Sequence, residues 1–177
     1  MVGPATFLET FANDHPGDAL IDFTETHHSA AYYRALLSEP TTAAWIVEHD
    51  VGAPIGYAIL VAASLPGSDP YTDAELKRIY LFSKWQGGGW GRALIETVEA
   101  EAIGRGAKRL VLSVYTKNEK AIRFYGARGY ETIGRAMFPG FTEAYSDYVM
   151  AKTLSQVTKR SDQESGREQI ADFHEAG

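Results

Sequence analysis

Apolar residues in the first forty positions recur at three-to-four-residue steps, at Phe7 and Phe11 and again at Ala30, Tyr33, Leu36 and Leu37. Polar breaks fall at 13–17 and at Glu39-Pro40, so the spacing predicts two helices. From Thr42 the period shortens. The runs TAAWIVEHD and PIGYAILVAA are β-branched and aromatic, and the turn-forming residues 50–54 between them predict a hairpin. SLPGSDP reads as a loop and ELKRIYLF, 75–82, as the next strand. Leu94, Ile95, Val98, Ala102 and Ile103 then make the clearest helical stripe in the chain, stopped by glycines at 104 and 106. RLVLSVY, 109–115, is nearly continuous in apolar character, as a strand buried on both faces of a parallel arrangement would be. Asn118 is placed to cap a helix carrying Ala121, Ile122, Phe124 and Tyr125, with Gly129 at its left-handed end. Strands over 130–138 and 147–154 complete the domain, 1–154. The remainder, 155–177, is polar and poor in apolar residues, so a solvated tail or a loosely attached helix is expected.

Composition narrows what such a chain can do. A length of 177 residues, 45% hydrophobic and 23% charged, suits one domain with a real core. The formal net charge of -6 and the lack of a Lys/Arg cluster disfavour a nucleic-acid partner. Without cysteine there is no disulfide, zinc-thiolate site or thiol nucleophile. Neither a basic-then-apolar leader nor a long apolar run is visible, so a soluble cytoplasmic protein with no membrane partner is expected. His27 and His28 are adjacent and do not share a helix face, which reads as surface placement, and no metal site is expected.

The unusual stretch is KWQGGGWGRAL, with Gly87, Gly88, Gly89 and Gly91 between a strand and a helix. A phosphate-binding P-loop needs Lys and then Ser or Thr after its last glycine, whereas Gly91 is followed by Arg92 and Ala93. No frame of the run gives the G-x-G-x-x-G of dinucleotide-binding folds either. What remains is bare backbone N–H at a helix start, with Arg92 in the first turn, which suits a pyrophosphate. A flexible strand-to-helix turn accounts for the glycines equally well.

The frame Gln86-x-x-Gly89-x-Gly91 resembles the coenzyme-A pyrophosphate motif of the GNAT N-acetyltransferase superfamily. A second element, NEKAIRFY from Asn118 to Tyr125, is similar to that family's Asn-x-x-Ala-x-x-Phe-Tyr signature, and GARGYETIG follows as the family's turn into a later strand. The match spans 42–154. It implies an α/β (α+β) GNAT fold: a mixed central sheet of about six strands flanked by helices, strands four and five splayed. Met1 to Thr6 is too short for the family's usual first strand, so that strand is expected to be missing and an exposed edge to need cover from the tail or from a second copy, a possible homodimer. ELKRIYL, NEKAIRFY and SDYVMAKTL look most like the bacterial branch that includes polyamine acetyltransferases.

The resemblance implies transfer of acetyl from acetyl-CoA to a primary amine by direct attack in a ternary complex. At pH 7 only about one alkylammonium in 10³ is deprotonated, a penalty of about 4 kcal/mol, so a base is required. Glu75 matches the position where relatives carry an acidic group; an exposed strand-end carboxylate is its ordinary reading. Asp147 on the last strand is a second candidate for base work or amine recognition. Tyr125 is implied as the acid that protonates the departing thiolate, or else as an aromatic packing its helix on the sheet. Leu81, Phe82 and Ser83 are expected to offer backbone groups to the pantetheine arm, with a backbone N–H near Leu81 facing the oxyanion. Gln86, Gly87, Gly88, Gly89, Gly91, Arg92 and Asn118 complete the cofactor set. Asp147, Tyr145 and Phe138 form the expected acceptor pocket, with Phe141 and Tyr32-Tyr33 as further aromatic wall. The acceptor expected is a small amine or polyamine, in keeping with the acidic net charge; a protein N-terminus or lysine, and a silent CoA-binding module, are the alternatives.

Overall fold

The computed structural model describes residues 1–137 and 146–155. Three helices come first, α1 (Val2–Phe11), α2 (Gly17–His27) and α3 (Ala30–Ser38), where the apolar spacing predicts two. The break that the spacing hides lies at His28-Ser29. His28 leaves helical geometry at φ -126° and ψ 10°, and the Ser29 hydroxyl accepts from the Tyr32 amide at 3.1 Å to cap α3. Residues 1–6 enter α1 directly and carry no strand.

Six strands follow: β1 (Ala43–Glu48), β2 (Pro54–Ala62), β3 (Asp73–Leu81), β4 (Arg109–Tyr115), β5 (Glu131–Met137) and β6 (Ser146–Thr153). They form one mixed sheet in the order β1-β2-β3-β4-β6-β5. The β1–β2 hairpin matches expectation, and the single parallel pair is β3–β4, joined by α4 (Trp90–Gly104). α5 (Glu119–Gly126) connects β4 to β5 and is capped as its sequence requires, the Asn118 carboxamide oxygen accepting from the Ala121 amide at 3.1 Å. β1 is an edge strand and leaves Ile46 exposed.

The two faces of the sheet are buried by different helices. On one, the α4 stripe of Leu94, Ile95, Val98 and Ala102 packs on Leu60, Leu76, Leu110 and Leu112. Each of these larger side chains contributes about 1.5–3 kcal/mol by leaving water. On the other, Phe7, Phe11 and Leu20 from α1 and α2 close over Tyr115, with Phe23 and Tyr80 at the margin.

The expected splay is present between β3 and β4. Their pairing runs only from Asp73↔Arg109 to Leu76↔Leu112, while β3 continues to Leu81 and β4 to Tyr115. Two features hold it open at one end and closed at the other. Lys77 has no partner in the β2 register, which passes from Ile59↔Arg78 to Leu60↔Leu76, and such a bulge bends its strand. At the closed end Arg109 forks onto Asp73, Nη2 to Oδ2 at 2.6 Å and Nε to Oδ1 at 3.1 Å. Burial alone would raise the Asp73 carboxyl, but hydrogen bonds from Arg109 and from the Asp69 amide outweigh it and hold the group below its ordinary range.

Candidate active site

The glycine loop connects the open end of β3 to α4. Gly87 and Gly89 have φ of 92° and 88°, a region that side chains with a Cβ strongly disfavour, and Gly89 occupies the N-cap of α4. No side chain caps this helix and no acid stands in its first turn. Its leading N–H groups and dipole are therefore left for an anion. Gln86 anchors the loop at both ends: its Nε2 donates to the Leu81 carbonyl at 3.0 Å, and its Oε1 accepts from Lys120 at the start of α5. Arg92 turns along the helix to Glu96, at 2.7 Å in an exposed pair. Gly88 and Gly91 lie in the same loop and first turn; a Cβ at Gly91 would make only ordinary contact with Leu81 and Phe124.

Backbone alternation decides what the splay presents. The Phe82 amide donates to the Ile55 carbonyl of β2 at 3.0 Å. Neighbouring residues of a strand point their amides oppositely, so the Leu81 amide faces the side where β4 has diverged. Ser83 is already engaged: its amide and hydroxyl donate to the Glu9 carboxylate of α1, at 2.9 and 2.8 Å. Asn118 spends its carboxamide oxygen on the α5 cap.

Around the splay sit Tyr80 from β3, Tyr115 from β4, Tyr125 from α5 and Asp147 from β6. Asp147 stands opposite Tyr115 in the β4–β6 register and is 4% exposed, and its Oδ1 finds no hydrogen-bond partner. Burial drives its carboxyl up to about 6, the Ser113 hydroxyl opposing the rise. The Tyr115 hydroxyl is likewise buried without a partner. Burial, and then the neighbouring Tyr80, raise the Tyr125 phenol well above its ordinary value. Tyr80 itself is pushed up to about 12, by burial first, with Arg78 pulling it down and Asp147 raising it. These three groups thus share one electrostatic environment.

Glu75 lies elsewhere in the hydrogen-bond pattern. Its Oε2 accepts from the Ser64 amide at 2.9 Å and hydroxyl at 3.0 Å, and Lys77 stands 3.8 Å from Oε1. It is buried, not an exposed strand end. Phe138, Phe141 and Tyr145 lie outside the described residues.

Several side chains in this region carry no motif. Arg78 is 8% exposed, donates from Nη2 to the His27 carbonyl at 2.7 Å and lies over the rings of Tyr32 and Tyr33. His28 is buried and not at the surface: its Nδ1 bonds the Tyr33 hydroxyl at 2.9 Å, which meets the Tyr57 hydroxyl at 3.1 Å. Burial first, then Arg78 and His27, push His28 down to about 3, so it is neutral. Arg78, two positions before Tyr80 and so on the same strand face, was the one signal of this cluster in the sequence, and the charges of Glu75 and Lys77 in ELKRIYL make it inconspicuous. Among the described residues there is no group of three or more His, Asp or Glu side chains able to hold a metal ion, and no helix is long and apolar enough to cross a membrane.

A model of the acetyltransferase (GNAT) family matches residues 7–130. This chain belongs to that family. An N-acetyltransferase of Mycobacterium bovis and one of Mycobacterium tuberculosis, both uncharacterised, are each 34% identical over 135 residues, 76% of this chain and 82% of theirs. Among solved structures, the PaiA N-acetyltransferase of Thermoplasma acidophilum in complex with coenzyme A has a TM-score of 0.69 at 18% identity over 86% of this chain and 88% of that one. The ribosomal-protein-S18-alanine N-acetyltransferase of Escherichia coli has a TM-score of 0.59 at 22% identity over 90% and 91%. These two show the fold. As a GNAT member the chain is an acetyl-CoA-dependent N-acetyltransferase.

Proposed function

We propose that the protein acetylates the primary amine of a small molecule by direct attack, with Asp147 receiving the ammonium proton and Tyr125 returning one to the departing thiolate. The observation that carries this reading is Asp147: a buried carboxylate beside the splay, one oxygen unpartnered, with its pKa moved by burial to about 6. A base near neutrality is what an ammonium substrate needs, since it is ionised at pH 7 yet still able to hold a proton.

Acetyl-CoA, when bound, supplies an activated acyl group and a thiol leaving group. The residues fit it: the positive-φ glycines and the uncapped α4 start suit the pyrophosphate, and the unpaired inner edge of β3 suits the amide-bearing arm. Gln86 and Lys120 fix the loop, and Lys120 adds positive charge beside it. The Leu81 amide, facing the splay, is placed to donate to the acyl oxygen as negative charge develops there. Tyr125 keeps its proton at neutral pH because burial opposes phenolate, so it is available as the acid. Asp147 deprotonates the amine directly or through one water. Glu75, held by Ser64 and Lys77, secures the β2–β3 connection in this scheme instead of acting as the base.

The ELKRIYL and SDYVMAKTL resemblance favours a polyamine. The guanidinium of Arg78, which like Asp147 acts on Tyr80, opposes a polycation and favours an amine with a single positive charge.

The test is thermal stability with and without acetyl-CoA, followed by thiol release over amines, amino acids, polyamines and short peptides. Acetyl-CoA at a hundred times its Kd stabilises the fold by about 2.7 kcal/mol. Amine-dependent thiol release is expected. Acetyl-CoA binding with thiol release only from peptides would move the acceptor to proteins, and binding with no release at all would leave a silent module.

A further inference from the structure

On the face covered by α1, α2 and α3, the chain buries two opposite charges that do not meet each other. Arg78 satisfies Nη2 on the His27 carbonyl, while its Nη1 is buried without a partner. Asp147 leaves Oδ1 in the same condition. A buried charge that lacks its counter-charge is costly, and folds ordinarily pair it.

Among the described residues no acid neutralises Arg78. The acids on its own strand are committed, Asp73 to Arg109 and Glu75 to Ser64 and Lys77. Among the described residues no carboxylate lies within ion-pair range of it. The groups facing it from α2 and α3 are His27, His28, Tyr32 and Tyr33, with Tyr57 behind Tyr33. Burial, and then the arginine, push both histidines down, so neither competes as a second cation. Capping the end of α2 explains Nη2. It does not explain a full positive charge whose Nη1 is buried without a hydrogen-bond partner.

The two charges flank one residue. Tyr80 feels both, Arg78 lowering and Asp147 raising its phenol. Arg78 and Tyr80 are two residues apart on one strand face, about 7 Å along the chain. One unpartnered cation and one unpartnered anion thus lie on the same face of the sheet, both within electrostatic reach of Tyr80.

We propose that the acceptor is zwitterionic, a primary amine that also carries a carboxylate, with the carboxylate held on Nη1 of Arg78 and the ammonium directed to Asp147. This rests on the acetyl-transfer reading above and names its acceptor class. A planar carboxylate matches the guanidinium fork. A phosphate would bring close to two negative charges, and the single arginine among neutral histidines and tyrosines offers one. Tyr32 and Tyr33, partly exposed and stacked on Arg78, form the rim through which the acid end would enter.

The test uses matched acceptor pairs, α- and ω-amino acids against their primary amides and against the corresponding decarboxylated amines. The full-length enzyme should favour the acid over the amide by on the order of 10–100-fold in kcat/KM, mostly in KM, as one charge-assisted hydrogen bond predicts. In Arg78→Gln that ratio should fall to about one, and Arg78→Lys should keep part of it. An acetyl-CoA thermal shift in each variant confirms that the fold survives; if Arg78→Gln does not fold, the wild-type ratio and Arg78→Lys still decide. Equal turnover of acid and amide by the wild type, a preference for diamines, or an equal fall for both pair members in Arg78→Gln would overturn the proposal and leave Arg78 as a structural cap. Calorimetry of the same pairs on the CoA-bound protein separates this from failure of the transfer reading. Acid-selective binding lost in Arg78→Gln, with no thiol release, would retain the anion site and reject the chemistry; no acid selectivity in binding would reject the site.

Discussion

The two faces of the sheet are built on different terms. The α4–α5 face is an apolar stripe packed on apolar strands, and the parts proposed to bind there are backbone: glycines with positive φ, an uncapped helix start, an unpaired strand edge. The α1–α3 face buries Asp147, Arg78, His28 and a set of tyrosines, some with polar atoms left unmatched. The contrast follows from what each must bind. A CoA-type ligand is the same for every member of the family, so main-chain donors in a fixed turn suffice. In the proposed reading the acceptor is met instead by side chains, Asp147 and Arg78 from the strands with Tyr32 and Tyr33 from α3. Glu9 ties the halves together, reaching from α1 to the amide and hydroxyl of Ser83 at the end of β3.

The sharpest way to break this comparison is Asp147→Asn. Loss of a general base should lower kcat by about 10²–10³-fold while the acetyl-CoA thermal shift persists. The same change should stabilise the protein. Because the folded carboxyl titrates near 6, above its ordinary 3.8, the stability it contributes is present below pH 3.8 and is lost as pH rises through 6. Above pH 6 the asparagine variant should therefore be more stable, by at most about 3 kcal/mol, and wild-type kcat/KM should rise with pH through about 6. A variant that is both inactive and less stable would mean that Asp147 is structural.

Next in size is Tyr125→Phe, expected to reduce kcat by about 10²-fold with little change in acetyl-CoA affinity, measured by stopped assays and calorimetry. An unchanged rate would pass the acid role to Tyr80, which shares its environment. On the opposite face, Gly89→Ala should weaken acetyl-CoA binding about tenfold and lower stability by about 1–2 kcal/mol, because alanine resists the left-handed N-cap. Turnover at saturating acetyl-CoA should hold, which would separate the two halves kinetically. The smallest effect expected is from Glu75→Gln: about 1 kcal/mol of stability from the Ser64 hydrogen bonds and less than a threefold change in kcat. A collapse of kcat in that variant instead would restore Glu75 as the base.

Much of the proposed cofactor half was legible along the chain because its determinants are local. Gln86, Gly87 and Gly89 lie within four positions, and Asn118 caps the helix that follows it. Period-2 and helical spacing likewise announced the hairpin and the α4 stripe, while α5 ends at Gly126 and the left-handed Gly129, φ 83°, falls in the turn after it. The division of the N-terminal third was missed, since a single serine cap between two helices of similar spacing leaves no gap in the apolar pattern. His28 was misplaced for a related reason: a histidine reads as polar until a fold supplies Tyr33 and Tyr57 as its neighbours.

By itself, then, the order of residues determined the family, the sheet's elements and the backbone loop proposed to hold acetyl-CoA, because turns, caps and alternation act over a few residues. Tertiary structure alone decided that Asp147 rather than Glu75 is the unpartnered acid, and that Arg78 faces Tyr32 and Tyr33 with one nitrogen unmatched. Hydrogen-bond satisfaction and desolvation are set by groups on other elements, as Glu75 and Ser64 are at a separation of 11 and Arg78 and the His27 carbonyl at 51. No local pattern carries such a pairing, and the pKa of a buried acid follows from it.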